Sequence, residues 1–142
     1  MKTFKTSRDF PVLPEHIFDA FSNPERLAKW WGPSGFSNTF NHFQFKPGGK
    51  WSFIMHGPDG RNYPNESEFI DIVPNEKVVI RHHSEPNFTL TIQITSTAKG
   101  SVVRWIQEFD NEEVAKMVAH IVEPSNEQNL DRLMDEVCND LK

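Results

Sequence analysis

The sequence predicts an α+β fold: a curved antiparallel sheet wrapped around one long C-terminal helix, with two short helices near the N-terminus. Three observations carry this. Between residues 39 and 109 the chain runs in short stretches rich in Phe, Val, Ile and Thr, each closed by turn residues. Those closures are too short for the dozen or more residues that a parallel crossover needs, so the strands form an antiparallel meander. After them, the apolar residues return to helical spacing over a segment long enough to cross several strands.

Taken in order, Thr3 to Phe10 reads as an edge strand, with Phe4, Thr6 and Arg8 on one side and Thr3, Lys5, Ser7 and Asp9 on the other. Pro14 suits the first turn of a helix whose apolar residues are Ile17, Phe18 and Phe21. Asn23-Pro24 supplies an N-cap and a first-turn proline for a second helix that ends at Gly32. Leu27, Trp30 and Trp31 follow the i, i+3, i+4 rule and fasten this helix pair to the rest of the chain.

The strands that follow are punctuated by Lys46-Pro47-Gly48-Gly49, Gly57-Pro58-Asp59-Gly60, Val73-Pro74-Asn75-Glu76, Glu85-Pro86-Asn87 and Ala98-Lys99-Gly100-Ser101. Trp51, Phe53 and Met55 share a face, as do Phe88, Leu90, Ile92 and Ile94, and Val103, Trp105, Gln107 and Phe109. One side of the sheet is therefore apolar. In the last segment Val114, Met117, Val118 and Ile121 precede a break expected at Pro124. Ser125 with Gln128 is a capping-box pattern that restarts the helix, whose stripe is Leu130, Leu133, Met134, Val137 and Leu141.

No repeat, low-complexity tract or linker interrupts the 142 residues, so residues 1–142 are read as a single domain. No run approaches the ~18 apolar residues of a membrane span, and the start MKTFKTSRDF lacks the apolar stretch of a signal peptide, which makes the cytoplasm the expected location. Residues 108–142 hold ten acids and three bases, a balance of −7, against +2 for the rest. That distribution disfavours a phosphate backbone, and neither nucleic acid nor membrane is an expected partner. The one cysteine, Cys138, falls in the apolar register of the last helix and reads as an inert buried thiol.

The stretch Phe10-Pro-Val-Leu-Pro-Glu-His-Ile-Phe-Asp-Ala-Phe, followed by Asn23-Pro-Glu-Arg-Leu-Ala-Lys-Trp-Trp-Gly-Pro33, resembles the opening of the activator-of-Hsp90-ATPase-homologue-like family. Pro47-Gly-Gly-Lys-Trp51, Met55-His-Gly-Pro-Asp-Gly60 and Phe69-Ile-Asp-Ile-Val-Pro-Asn-Glu-Lys77 continue the likeness in the family's order over nearly the whole chain. The resemblance implies the helix-grip fold of the START-like (SRPBCC) superfamily, whose members enclose an apolar cavity but differ in what they bind or transform. It brings no universal catalytic residue and no cofactor: the shared motifs cap a helix and set hairpins.

Six histidines, His16, His42, His56, His82, His83 and His120, raise a metal or acid-base reading. Adjacent residues of a strand point to opposite faces, so His82 and His83 cannot share a metal, and no other pair has ligand spacing; no metal is expected. His82 keeps step with Val78 and Ile80 and is expected to point inward, either as a hydrogen-bonded strand-end residue or as a group that meets a ligand. Gln107 is a second polar group on an apolar face and needs a partner. Which of Glu66, Glu68 and Asp71 faces inward is left open by the adjacent apolars Phe69 and Ile70.

The leading functional expectation is non-covalent binding of a small, largely apolar molecule between the sheet and the last helix. Met117, Ile121, Leu130 and Met134 form the helix wall and Met55, His82, Leu90, Ile92, Trp105 and Gln107 the sheet wall, with Trp31 and Phe69 as further candidates. The equally physical alternative is that these residues simply fill a core. Two rivals are an enzyme of the kind the superfamily's cyclases represent, using His82 and an inward carboxylate, and a co-chaperone contact with an Hsp90-type ATPase, which the family name implies.

Overall fold

The structure, a computed structural model, describes residues 2–139. Strand β1 (Thr3–Phe10) is followed by α1 (Pro14–Ser22), α2 (Pro24–Trp30), strands β2 (Ser37–Phe43), β3 (Lys50–His56), β4 (Asn62–Val73), β5 (Lys77–His82), β6 (Phe88–Thr97) and β7 (Gly100–Phe109), and helix α3 (Glu112–Asn139). The strands form one sheet in the order β1-β7-β6-β5-β4-β3-β2, and every neighbouring pair is antiparallel. β1 is an edge strand as its sequence suggests, laid against β7 at the far end of the chain from itself.

The short helices follow from their caps. Asn23 Oδ1 accepts from the amides of Glu25 and Arg26 at 3.0 and 3.4 Å, and Pro24 occupies the first turn of α2. Gly32, at φ +98°, turns the chain out of that helix; a side chain there would be strained and would press on the Met55 methyl. Trp30 is sealed by its neighbours: Nε1 donates to the Ala20 carbonyl at 2.9 Å, and the ring meets Phe21 edge-on at 4.9 Å.

Helix α3 departs from the expected break. It runs unbroken through Pro124, and its N-cap is Asn111, whose Oδ1 accepts from the amides of Glu113 and Val114. Proline removes its own N–H donor and crowds the carbonyl four residues back, a local cost that the helical turns on both sides carry. The supposed capping-box pair does other work: Gln128 Oε1 accepts from the Ser34 amide at 3.1 Å, tying α3 to the loop after α2.

The core lies on the concave face, where α1, α2 and the C-terminal half of α3 cover one end of the sheet. Trp51 stacks on Phe53 and Phe69 at 4.3 and 5.5 Å, with Ile17, Phe21, Leu27, Val78, Ile92, Val103, Leu130, Leu133 and Val137 around it, all buried. Leu141, assigned to the same stripe by its spacing, lies outside the described residues. The N-terminal half of α3 is packed far less: Ala115 is its one buried residue before Asn129. No helix among the described residues is long and apolar enough to cross a membrane.

Two devices fix α3 to the sheet and to α2. The inward side of β1 reaches it through Thr6 and Arg8, which hydrogen-bond Glu127, with Arg8 also pairing Asp131. Arg132 sends both of its terminal nitrogens into the chain reversal after α2, donating to the carbonyls of Lys29, Trp31, Gly32, Pro33 and Phe36. Burial lowers its pKa, yet a guanidinium stays charged, so a positive group sits at the negative end of α2.

Candidate functional site

Because the helices cover only one end of the concave face, the other end is left open as a cleft of about 540 Å³. Its floor comes from the ends of five strands that meet in register. Ser67 of β4 lies opposite His82 of β5, and His82 opposite Phe88 of β6. One row deeper, Ile80 lies opposite Leu90, and Leu90 opposite Gln107 of β7. Phe53 and Met55 of β3 and Trp105 of β7 complete the sheet side, while Trp31 to Pro33, Phe36 and the stretch Ile121 to Asn129 of α3 form the opposing rim. The volume falls within the ~300–1,000 Å³ of typical small-molecule sites.

The polar groups on these walls fall into two kinds. Some are fully committed: Asn129 donates to the Trp30 carbonyl at 3.0 Å and accepts from the Gly32 amide at 3.3 Å. His82 stacks on Phe88 at 4.5 Å, with Nδ1 3.1 Å from the Pro86 carbonyl and Nε2 2.6 Å from Asn65 Oδ1 and 3.2 Å from Ser84 Oγ. Burial opposes the charge and holds the pKa below the ordinary 6.5, outweighing the Pro86 carbonyl, which favours the protonated form. In the neutral ring Nδ1–H donates to that carbonyl, and Nε2 is the acceptor, within reach of the Ser84 hydroxyl.

The second kind is unpartnered. Gln107, 8% exposed, takes one bond at Oε1 from Asn126 Nδ2 (3.1 Å) and leaves Nε2 without a partner among the described residues. Ser67, 5% exposed, has no hydrogen bond to its hydroxyl among them, and neither atom is sealed from solvent. Trp105 Nε1, by contrast, is sealed, so that residue offers the cleft only its ring.

Of the residues that the sequence nominates, Trp31, Met55, His82, Leu90, Trp105, Gln107 and Ile121 line the cleft. Phe69, Ile92 and Leu130 do not: they are fully buried under the helices at the closed end. Met134 packs partly buried against that core; Cys138, expected as a buried thiol, is half-buried, its Sγ 3.5 Å from the Met134 sulfur. Met117 is 72% exposed and away from the cleft, whereas Ile121, 56% exposed, stands at the mouth. The reason is common to all five departures. Periodicity assigns a residue to a face but not to the covered or open end of that face.

The open question over the β4 acids is resolved by a bulge. Pairing with β5 shifts between Phe69 and Asp71, leaving Ile70 outside, so Ser67 and Phe69 take the inward positions. Glu66 bonds Ser52, Glu68 meets His83 at 3.1 Å and Asp71 meets Lys77 at 2.9 Å, all on the outer side. Among the described residues no three His, Cys, Asp or Glu side chains gather as a metal-binding group. Among the polar cleft residues, sequence reasoning missed Ser67, Asn65, Asn126 and Asn129; for Ser67 the signal was the alternation with Phe69, obscured by the bulge at Ile70. Phe53, Ile80 and Phe88 were assigned to the apolar face but not to the site.

A curved antiparallel sheet closed by a long C-terminal helix, with an apolar cleft at one end, is the helix-grip architecture. The sequence model of the activator of Hsp90 ATPase homolog 1-like proteins matches residues 11–137, and the chain belongs to that family. The fold is shared with solved bacterial structures. A protein of Nitrosomonas europaea superposes with a TM-score of 0.89 at 17% identity, over 98% of this chain and 96% of its own. One from Chromobacterium violaceum gives 0.84 at 20% identity, over 96% of each chain. A family member of Silicibacter pomeroyi gives 0.79 at 19%, over 97% of this chain and 99% of its own. At such identities the likeness concerns the fold alone. Among curated proteins none matches the sequence significantly.

Proposed function

We propose that the protein binds a small, largely apolar molecule in the cleft between the open end of the sheet and the rim formed by α3 and the turn after α2. The observation that carries this is the cleft itself: about 540 Å³ walled by Trp31, Phe53, Met55, Leu90, Phe88 and Trp105, with a few polar groups set among them. An interior that served only as core would be filled at this end as it is around Trp51. Binding is favoured over acid-base catalysis because both ring nitrogens of His82, the residue such chemistry would use, are engaged by Pro86, Asn65 and Ser84.

Native mass spectrometry of freshly purified protein tests the reading. The expected result is an added mass that is lost on mild activation, or, from delipidated protein, uptake of an apolar dye that Leu90→Trp blocks. Protein that takes up no dye, or takes it up equally with Trp at position 90, counts against the cleft.

A further inference from the structure

No titratable group on the walls is free to neutralise a charge on the ligand: Tyr63 donates its hydroxyl to Asp59, and the others are engaged or carry the wrong sign. The titratable residues on the walls are Tyr63, His82 and Glu85. His82 is bonded at both nitrogens, and burial keeps it uncharged. Glu85 stands at the rim as an acid, and Arg132, near the turn that forms the opposite rim, spends its terminal donors on five carbonyls. A carboxylate entering such a cleft would shed its hydration with no cation to replace it.

What remains unspent is neutral. Gln107 on β7 and Ser67 on β4 are residues more than nine-tenths buried that border the cleft, and Gln107 Nε2 and Ser67 Oγ have no partner among the described residues. Buried polar groups of this kind are ordinarily satisfied. The two lie three strands apart, on the order of 15 Å along the sheet and less across its concave side. Between them stand Leu90, Ile80 and Phe88.

We propose that Gln107 and Ser67 are the two polar anchors of the cleft, and that its ligand is an uncharged, ring-bearing molecule with a hydrogen-bond acceptor for Gln107 and a hydroxyl or second acceptor for Ser67 at its other end. Carboxylates of the same shape are rejected. This rests on the binding function proposed above and specifies its ligand class.

Four naphthalenes of similar shape separate the two statements: 2-acetylnaphthalene, 2-isopropylnaphthalene, 2-naphthoate and 6-hydroxy-2-acetylnaphthalene, titrated by calorimetry at pH 7.5. The acetyl compound should bind about 3- to 10-fold tighter than the isopropyl compound, the worth of one neutral hydrogen bond. It should bind at least about 10-fold tighter than naphthoate, as expected when a charge is buried without a partner. Its binding should move the Gln107 side-chain amide signal in a ¹H–¹⁵N spectrum. Gln107→Leu should abolish the acetyl preference while leaving the isopropyl compound unaffected. The 6-hydroxyl should add a further gain that Ser67→Ala alone removes. Equal binding of all four, naphthoate binding as tightly as the ketone, or an unmoved Gln107 signal on the wild-type protein overturns the anchors while leaving the cleft reading intact. Failure of all four to bind overturns both.

Discussion

Arg132→Met should cost the protein about 3–4 kcal/mol. The four N–H groups on the two terminal nitrogens of Arg132 serve five carbonyls at 2.6 to 3.0 Å. Two of these acceptors keep another donor if the guanidinium is lost: Trp31 O is also reached by Asn38 Nδ2, and Pro33 O by the Phe36 amide. Three do not. Lys29 O cannot be met by the residue four on, because Pro33 has no N–H, and the Gly32 amide is spent on Asn129. Gly32 O and Phe36 O have no other partner in the turn. Leaving a part-buried acceptor unmet costs about 1–3 kcal/mol. Water reaches the outer side of the turn, where the Lys29 bond is exposed, so the low end applies to each.

At roughly 3–4 °C per kcal/mol for a chain of this length, melting should fall by about 10–15 °C. Urea denaturation should show a lower midpoint at unchanged slope. Arg132→Lys should recover less than half, since one ammonium cannot span acceptors from Lys29 to Phe36. If Arg132→Met melts within about 2 °C of wild type, or the lysine variant is as stable as arginine, the guanidinium does not organise this turn. The same turn carries the Trp31–Pro33 rim, so the variant should also weaken dye binding in the folded protein.

Below pH 6.5 the unfolded chain protonates position 82 while the folded one resists. Stability should therefore be complete above about pH 7 and fall toward pH 5 by up to about 1.4 kcal/mol per pH unit. His82→Gln should flatten that fall in urea melts, and an unchanged slope would mean that the burial of His82 does not govern it. Met134→Trp should destabilise by about 1–3 kcal/mol through overpacking and leave dye binding as in wild type, because Met134 packs on the closed core; loss of dye binding without loss of stability would place it in the cleft. Gly49→Ala should unfold or severely destabilise the protein, as its methyl would overlap the Gln44 carbonyl; a near-native melting curve would show that the hairpin before β3 can shift.

Alternation in β3, β5, β6 and β7 and the brevity of their turns were enough to require one antiparallel sheet with an apolar face, since side-chain direction and loop reach are local properties. The caps of α2 and the glycine that ends it were legible for the same reason. Other features depended on distant parts of the chain. Pro124 stays inside α3 because the turns on either side of it hold, and Ile70 is thrown outward because β5 pairs with β4 out of step. Ile92 and Leu90 occupy the same alternating pattern, each apolar between two polar neighbours, yet one is sealed under the helices and the other borders open space. That division was made by where the helices rest on the sheet. So was the fate of Ser67 and Gln107: a strand can aim a polar side chain at the concave face, but only the packing of α3 against one end of the sheet leaves it without a partner there.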